Sequence, residues 1–192
     1  MKNLSFTIKP NIMKKIILSI VICCISYFSF GQTNKTKTSF ATYNNTEHKI
    51  KLQYPKNWEL TDTVSGTVFY IFTPSTDDDR FNENFNMSLE DMTGQNMSFK
   101  EFVETNVAGI KDGSTISDFK QTSGKYFKWN GIQAYEIVYT GKLSDVDFRL
   151  GWIQRFLFHN GKAYILTYSA DAEKKDPFLP AAKQVMNSIK FY

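Results

Sequence analysis

Cysteine and histidine are scarce in this chain of 192 residues. The only two cysteines, Cys23 and Cys24, lie in a segment with the features of an export signal, so cleavage of that signal leaves a chain with neither a thiol nor a disulfide. The two histidines, His48 and His159, each adjoin a predicted turn and lack a partner at metal-binding or catalytic spacing. We therefore interpret both histidines as exposed turn neighbours.

The motifs of several enzyme classes are also missing. The sequence has neither the G-x-S-x-G turn of serine hydrolases nor the G-x-x-x-x-G-K-[ST] loop that binds nucleotide phosphates. Carboxylate pairs such as Asp145-x-Asp147 occur, but a chain with 19 acidic residues always offers such pairs. We predict a protein that is not an enzyme and has no cofactor.

The first 31 residues have the layout of a secretory signal. Lys14-Lys15 precedes an apolar run from Ile16 to Phe30, and Gly31 supplies a small residue at the predicted cleavage site. Met13 is an alternative start, because it begins a better-proportioned signal than Met1 does. The apolar run is shorter than the roughly twenty residues that a spanning helix needs, which favours cleavage over anchoring. We predict export to the periplasm or medium of a Gram-negative-type cell, without stable membrane insertion.

Charge is balanced once this signal is set aside. Four of the 23 basic residues and none of the 19 acidic residues precede Gln32, so 19 of each sign remain. A formal charge of zero gives no reason to expect nucleic acid or an anionic membrane as a partner. We predict a flexible tail over residues 32–39 and a single domain over residues 40–192.

The domain begins with alternating strands and later forms hairpins. Asn130-Gly131 and Asn160-Gly161 are the pairs that most readily adopt type I′ turns. Two extended segments, Ile116–Gln121 and Lys125–Trp129, precede the first of these turns. In several strands, the residues that point to either face of the sheet are apolar, which predicts a sheet covered on both faces.

Two helices are predicted. Ser98 and Glu101 form a capping box at the start of the first helix. The second has apolar residues at offsets of four, seven and eleven, which are Phe178, Ala182, Val185 and Ile189. The order of strands and helices predicts an α+β fold with a mainly antiparallel sheet.

Short patterns in order along the chain resemble the PsbP-like superfamily. They are Phe40-x-x-Tyr43-Asn44, Leu52-x-Tyr54-Pro55-x-x-Trp58, Asn84-x-Asn86-x-Ser88-Leu89, Gly131-Ile132-Gln133-Ala134-Tyr135, Ala163–Ala170 and Val185-x-Asn187-Ser188-Ile189. The resemblance implies an α/β/α sandwich with a central antiparallel sheet, as in the photosystem II extrinsic PsbP C-terminal domain and the Mog protein. It also implies an exported, non-enzymatic accessory protein that binds a protein partner or small ligand. An immunity-type inhibitor of an exported toxin and a hydrolase are the alternatives.

One loop is rich in oxygen ligands. Asp77, Asp78, Asp79 and Glu83 are weak candidates for calcium, which takes six to eight oxygens. The spacing does not fit an EF-hand, because no glycine stands at the sixth position. We interpret the segment as a solvated acidic loop, with calcium as the alternative.

Aromatic side chains beside loops are the candidate partner contacts, because tyrosine and tryptophan suit interfaces. They are Phe81, Phe85, Tyr126 and Trp129. We predict an interaction surface around the Asp77–Phe85 loop and the Tyr126–Gly131 turn. Arg149 and Arg155 could clamp an anion, but cross-strand pairing with acidic residues is favoured.

Overall fold

The structure, a computed structural model, describes residues 38–75 and 79–192. The predicted signal, most of the predicted tail, and Asp77 and Asp78 lie outside these ranges. Within the described ranges, no helix has the length and apolar character that crossing a membrane requires.

Ten strands and two helices are described. The strands are β1 (Phe40–Asn45), β2 (Ile50–Pro55), β3 (Glu59–Thr61), β4 (Thr67–Phe72), β5 (Asn84–Asp91), β6 (Ile116–Trp129), β7 (Ile132–Leu143), β8 (Leu150–His159), β9 (Lys162–Asp171) and β10 (Lys190–Phe191). The helices are α1 (Phe99–Lys111) and α2 (Leu179–Ser188). Seven strands form a large sheet in the order β3-β4-β5-β9-β8-β7-β6, and β1-β2-β10 form a small one. Every pair is antiparallel, so the predicted α+β fold is confirmed.

The large sheet has a hydrophobic core on each face. On β9, Tyr164 and Leu166 belong to one core, and Ala163 and Ile165 belong to the other. The first core includes buried residues of α2 and β2, and the second includes buried residues of α1. Since successive strand residues point to opposite faces, the two helices cover opposite faces of the sheet. This confirms the sandwich, with the small sheet beside α2 in one outer layer.

Both predicted hairpin turns are confirmed. Asn130 and Gly131 have φ angles of 50° and 83°, and Asn160 and Gly161 have φ angles of 49° and 72°. Two consecutive left-handed residues are what a type I′ turn requires, and asparagine and glycine adopt that region at least cost. These turns set the register of β6 with β7 and of β8 with β9.

The first turn of α1 is fixed by the predicted capping box. The Glu101 amide donates to Oγ of Ser98 at 3.2 Å, and Oε2 of Glu101 accepts from the Ser98 amide at 2.8 Å. Both contacts satisfy amides that have no partner within the helix. The helix therefore begins at a defined position.

Strand β6 differs from the prediction of two separate segments. It is continuous over 14 residues, although its pairing with β7 is irregular between Ser117 and Lys120 and between Gln121 and Ser123. The polar run between the predicted segments pairs with β7 across the hairpin, and this pairing follows from the register of the hairpin and not from the composition of the run itself. The result is a long strand at the edge of the large sheet.

The two histidines are less exposed than predicted. His48 is half-buried, and its Nδ1 has no hydrogen-bond partner among the described residues. His159 is also half-buried, with its ring centre 4.8 Å from that of Phe191. Phe191 of the last strand covers the His159 side chain, a tertiary contact that turn propensity does not report.

The predicted cross-strand pairing of the two arginines is confirmed. Nη2 of Arg155 lies 2.7 Å from Oε2 of Glu136, its register partner on β7. Nη2 of Arg149 lies 3.6 Å from a carboxylate oxygen of Asp118 on β6. Arg155 therefore connects the neighbouring strands β8 and β7, whereas Arg149, which precedes β8, reaches past β7 to β6.

Candidate functional site

The two halves of the predicted interaction surface lie at opposite ends of the large sheet. Asn84, next to the acidic loop, belongs to a row of paired residues that continues through Ser169, Trp152, Tyr139 and Gln121. Gln121 and Trp129 are separated along β6 by roughly 26 Å at the ordinary strand rise. The loop and the Tyr126–Gly131 turn therefore do not form one surface, which corrects the prediction.

Arg80 holds the described part of the acidic loop against the end of β9. Its Nε and Nη2 donate to the two carboxylate oxygens of Asp171 at 2.8 and 3.2 Å, and Nη2 also donates to Glu173 at 2.8 Å. The guanidinium carbon lies 4.2 Å from the ring centre of Phe148. Burial acts to raise the pKa of Asp171, but the hydrogen bonds and charge of Arg80 leave that pKa below its usual value. This part of the loop is anchored by an ion pair.

Two of the four predicted aromatic contacts are core residues. Phe85 has no exposed surface and packs against Phe69, with ring centres 5.9 Å apart. Trp129 is buried, with the Arg155 guanidinium 5.0 Å from its ring centre. This corrects the prediction for both, because strand alternation turns them towards the core on the α2 face. Phe81 is half-buried against Phe148, and its role as a contact stays a prediction.

The described calcium candidates do not lie together in a ligand set. Asp79 is exposed, with Oδ1 3.8 Å from Nζ of Lys174, whereas Glu83 is only 8% exposed. Over residues 38–75 and 79–192, no group of three or more histidine, cysteine, aspartate or glutamate side chains is arranged to hold a metal ion. Asp77 and Asp78 fall outside the described residues, and calcium binding stays a prediction.

The carboxyl group of Glu83 has a raised pKa. Burial is the main cause that raises the pKa of its carboxyl group, and the negative charges of Asp176 and Asp79 raise it further. The backbone amide of Asp171 stabilises the carboxylate and partly offsets these effects. Asp176 itself accepts a hydrogen bond from the Tyr168 hydroxyl at 2.8 Å. The folded state therefore favours the protonated form of Glu83 more than the unfolded chain does.

The variant Glu83→Gln is expected to be more stable than the wild type near neutral pH. A raised folded-state pKa means that stability falls as pH rises from the unfolded pKa through the folded pKa, and glutamine removes that loss while still accepting the amide hydrogen bond. The advantage should shrink towards about pH 4 and vanish below it, because glutamate is then protonated in both states. Thermal midpoints measured across this pH range test it, with the exposed Glu59→Gln as control. A stability difference that does not change with pH would contradict it.

A groove at the other end of the sheet is the candidate site. It has a volume of about 450 Å³ and is lined by Phe99 and Lys100 of α1, residues 126–128 of β6, and Gln133 and Ala134 of β7. The ring of Phe99 meets that of Tyr126 edge-on at 6.2 Å, and Tyr126 lies 4.7 Å from Tyr135. The capping box and the first hairpin turn place the two walls of this groove.

Tyr126 is the predicted contact residue that the structure leaves accessible. It is 53% exposed, although its ring packs on one side against Phe99 and Tyr135. Burial raises the pKa of its phenol, and the charge of Glu104 raises it further, so the hydroxyl is protonated at neutral pH and can donate a hydrogen bond. Lys100 and Lys128 line the same groove and are exposed. The groove therefore suits a group that is partly apolar and rich in anionic or acceptor atoms.

Six lining residues were not among the predicted contact residues. They are Phe99, Lys100, Phe127, Lys128, Gln133 and Ala134. The capping box predicts where the helix begins, and Asn130-Gly131 predicts the hairpin. Neither signal shows that the first turn of α1 packs beside that hairpin, because the contact depends on how the helix crosses the sheet.

The fold is similar to that of several solved structures. Cyanobacterial PsbP (CyanoP) from Synechocystis sp. PCC 6803 is 13% identical, with a TM-score of 0.56 over 85% of this chain and 98% of that one. LpqN from Mycobacterium tuberculosis, described as involved in cell envelope biogenesis, is 13% identical, with a TM-score of 0.56 over 81% and 91%. PA94 from Pseudomonas aeruginosa, a protein of unknown function, is 18% identical, with a TM-score of 0.55 over 78% and 94%.

No protein-family model matches the sequence, and no curated protein matches it significantly. At identities of 13–18%, structural likeness shows the fold and leaves function to be argued from the site. The shared architecture extends over most of this chain and nearly all of the three similar proteins. The chain has a PsbP-like fold.

Proposed function

We propose that this protein is an exported, non-enzymatic accessory protein of the cell envelope that binds a protein partner at the groove between α1 and the β6–β7 hairpin. The proposal rests chiefly on Tyr126, a half-exposed aromatic side chain held in place by Phe99 and Tyr135 in a groove that lysines also line. The signal-like N-terminus supports export, and the cell-envelope role of LpqN supports the location.

The arrangement around Tyr126 favours a protein partner. A tyrosine offers a large contact area with few rotatable bonds, so its ordering on binding costs little. The contacts with Phe99 and Tyr135 restrict the ring before any partner arrives, which lowers that cost further. The lysines beside it lie at the rim, where charges speed association and select partners.

Replacing Tyr126 by alanine should weaken capture of the partner by about tenfold or more, as expected for an aromatic residue central to an interface. The tagged protein would be exported in the cells that produce it, cross-linked and purified, and the retained proteins quantified by mass spectrometry. Tyr192→Ala is the matched control, because Tyr192 is 58% exposed but packs beside the small sheet through Asn44. A partner should be retained by the wild type and by this control.

Equal retention of every protein by the two variants would contradict the proposed site. Circular dichroism of both variants shows whether the fold is kept. Assays of the purified protein with ester, phosphate and glycoside substrates address the non-enzymatic part of the proposal. Turnover that disappears on substitution of a single groove residue would overturn it.

A further inference from the structure

We propose that the partner segment bound here is an acidic extended strand that pairs with the outer edge of β6 and so lengthens the large sheet. The inference rests on the proposed function and deepens it, because it names the chemistry of the partner at the same site. The proposed pairing stretch is Ser123–Trp129, the β6 edge.

The β6 edge has the backbone geometry for pairing. β6 is the last strand of the large sheet, and its pairing with β7 runs without interruption from Ser123 to Trp129. In a regular edge strand, every second N–H and C=O points away from the neighbouring strand and can bind another chain. The opposite edge of the sheet is β3, which has only three residues. The β6 edge therefore offers much the longer template.

The first half of β6 is less suited to pairing. Asp118 has a φ angle of 52°, and the strand is irregular on either side of Lys120. Nη1 of Arg149 also donates to the Asp118 carbonyl at 2.8 Å, so this backbone acceptor is already occupied. A bulge and an occupied carbonyl interrupt the template. A pairing strand is thereby directed to the β6 edge, beside the groove.

The side chains around the β6 edge favour an acidic partner. Lys100, Lys120, Lys125 and Lys128 are all exposed near this edge. Three carboxylates lie nearby, and each already has a cationic partner: Asp118 pairs with Arg149, Glu104 lies 3.7 Å from Lys100, and Glu136 lies 3.8 Å from Lys125 and also pairs with the buried Arg155. Opposite charges on neighbouring strands stabilise pairing, and like charges directly opposite weaken it.

The same lysines disfavour a second copy of this chain as the occupant. Two copies of the β6 edge would bring Lys125 and Lys128 of both chains to one seam, and like charges on neighbouring strands weaken pairing. The groove adds a preference for an apolar side chain in the incoming strand. Tyr126 and Phe99 lie on the α1 face of the edge, so one apolar side chain of the incoming strand can pack against these rings in the groove. The expected partner segment alternates acidic residues with an aromatic or aliphatic one.

A random twelve-residue peptide library displayed on phage, selected against the full chain, tests the charge preference. Acidic peptides with an apolar residue among the charges should be enriched. Their affinity should fall by about tenfold or more in the double variant Lys125→Glu/Lys128→Glu. Lys56→Glu/Lys183→Glu, two exposed lysines elsewhere, is the charge-matched control and should bind as the wild type does. Enrichment of neutral or basic peptides, or of none, overturns the inference.

Amide hydrogen exchange measured by NMR with the strongest selected peptide tests the pairing itself. Exchange should slow at alternate residues of the β6 edge, since only every second amide points outward. Binding that leaves these amides unchanged overturns strand pairing, and so does a peptide-free dimer that protects the same amides. If Tyr126-dependent capture of an envelope protein persists without protection of the β6 edge, the proposed function stands and this inference fails.

Discussion

Replacing Arg155 by alanine is expected to destabilise the fold by about 3 kcal/mol, because the substitution leaves a shielded carboxylate without its main partner. Arg155 is 6% exposed, and its Nε and Nη2 lie 3.3 and 2.7 Å from Oε2 of Glu136. Its guanidinium carbon is 5.0 Å from the ring centres of both Phe127 and Trp129. Nη1 donates to Asn187 at 3.3 Å, which connects β8 to the end of α2.

The size of this effect follows from what remains after the substitution. Lys125 stays 3.8 Å from Glu136, so the carboxylate keeps one largely exposed counter-charge. The loss therefore belongs near the lower end of the roughly 3–5 kcal/mol range for breaking a buried ion pair. The apolar stem of the arginine also packs between aromatic rings, and alanine loses that packing as well.

Urea unfolding followed by tryptophan fluorescence measures the Arg155→Ala effect. Arg149→Ala is the matched control on the same side of the sheet, because Arg149 is more exposed and its Asp118 partner lies 3.6 Å away. We expect this control to cost about 1 kcal/mol or less. The double variant Arg155→Met/Glu136→Leu should recover much of the loss, since apolar side chains can replace a buried ion pair. Equal costs for the two single variants would contradict the buried-pair argument.

Replacing Gly141 by alanine is the second large expected effect, with a cost of about 1–3 kcal/mol from overpacking. A Cβ atom at this position would lie 2.2 Å from Cγ2 of Ile116 and 3.0 Å from the carbonyl oxygen of Ser117. Ile116 is buried and β-branched, so its methyl group cannot rotate away freely. Relief requires β6 and β7 to move apart where β6 begins.

Gly151→Ala is the matched control for this prediction. Gly151 lies on the adjacent strand β8, but a Cβ there meets nothing closer than 3.5 Å, the Cβ of Ala172. Alanine restricts the unfolded chain, so we expect this variant to be neutral or more stable by up to about 1 kcal/mol. Thermal midpoints should separate the variants, at about 2–4 °C for each kcal/mol in a domain of this size. Similar midpoints would show that Ile116 yields more readily than its packing indicates.

Several local features were predictable because their causes act within a few residues. The side chains of Ser98 and Glu101 accept hydrogen bonds from each other's backbone amides, so the start of α1 can be predicted from four consecutive residues. Asparagine followed by glycine tolerates consecutive positive φ angles. Both hairpin turns could therefore be predicted from the pairs Asn130-Gly131 and Asn160-Gly161. The alternation of apolar residues predicted coverage of both sheet faces, and the two cores confirm it.

The candidate contacts were harder to predict because aromatic residues look alike in sequence. Tyr126 and Trp129 are three residues apart on β6, yet one is half-exposed and the other is buried under Arg155. An odd separation along a strand places them on opposite faces of the sheet, but the sequence does not show on which face other residues leave the side chain exposed to solvent. The prediction that Phe85 is a contact residue was wrong for a similar reason. The polar loop before it gives no sign that Phe85 already belongs to a buried strand.

Turns, caps and the two-sided sheet thus follow from the amino-acid sequence alone, because each depends on backbone preferences or periodicity over short distances. The position of β6 at the sheet edge, the separation of the acidic loop from the Tyr126 turn, and the groove beside α1 depend on strand order and helix packing. Those arise from contacts between residues far apart in the chain, such as Phe99 with Tyr126. Tertiary structure therefore decided where a partner can bind, while local sequence had already decided most of the secondary structure that holds the site.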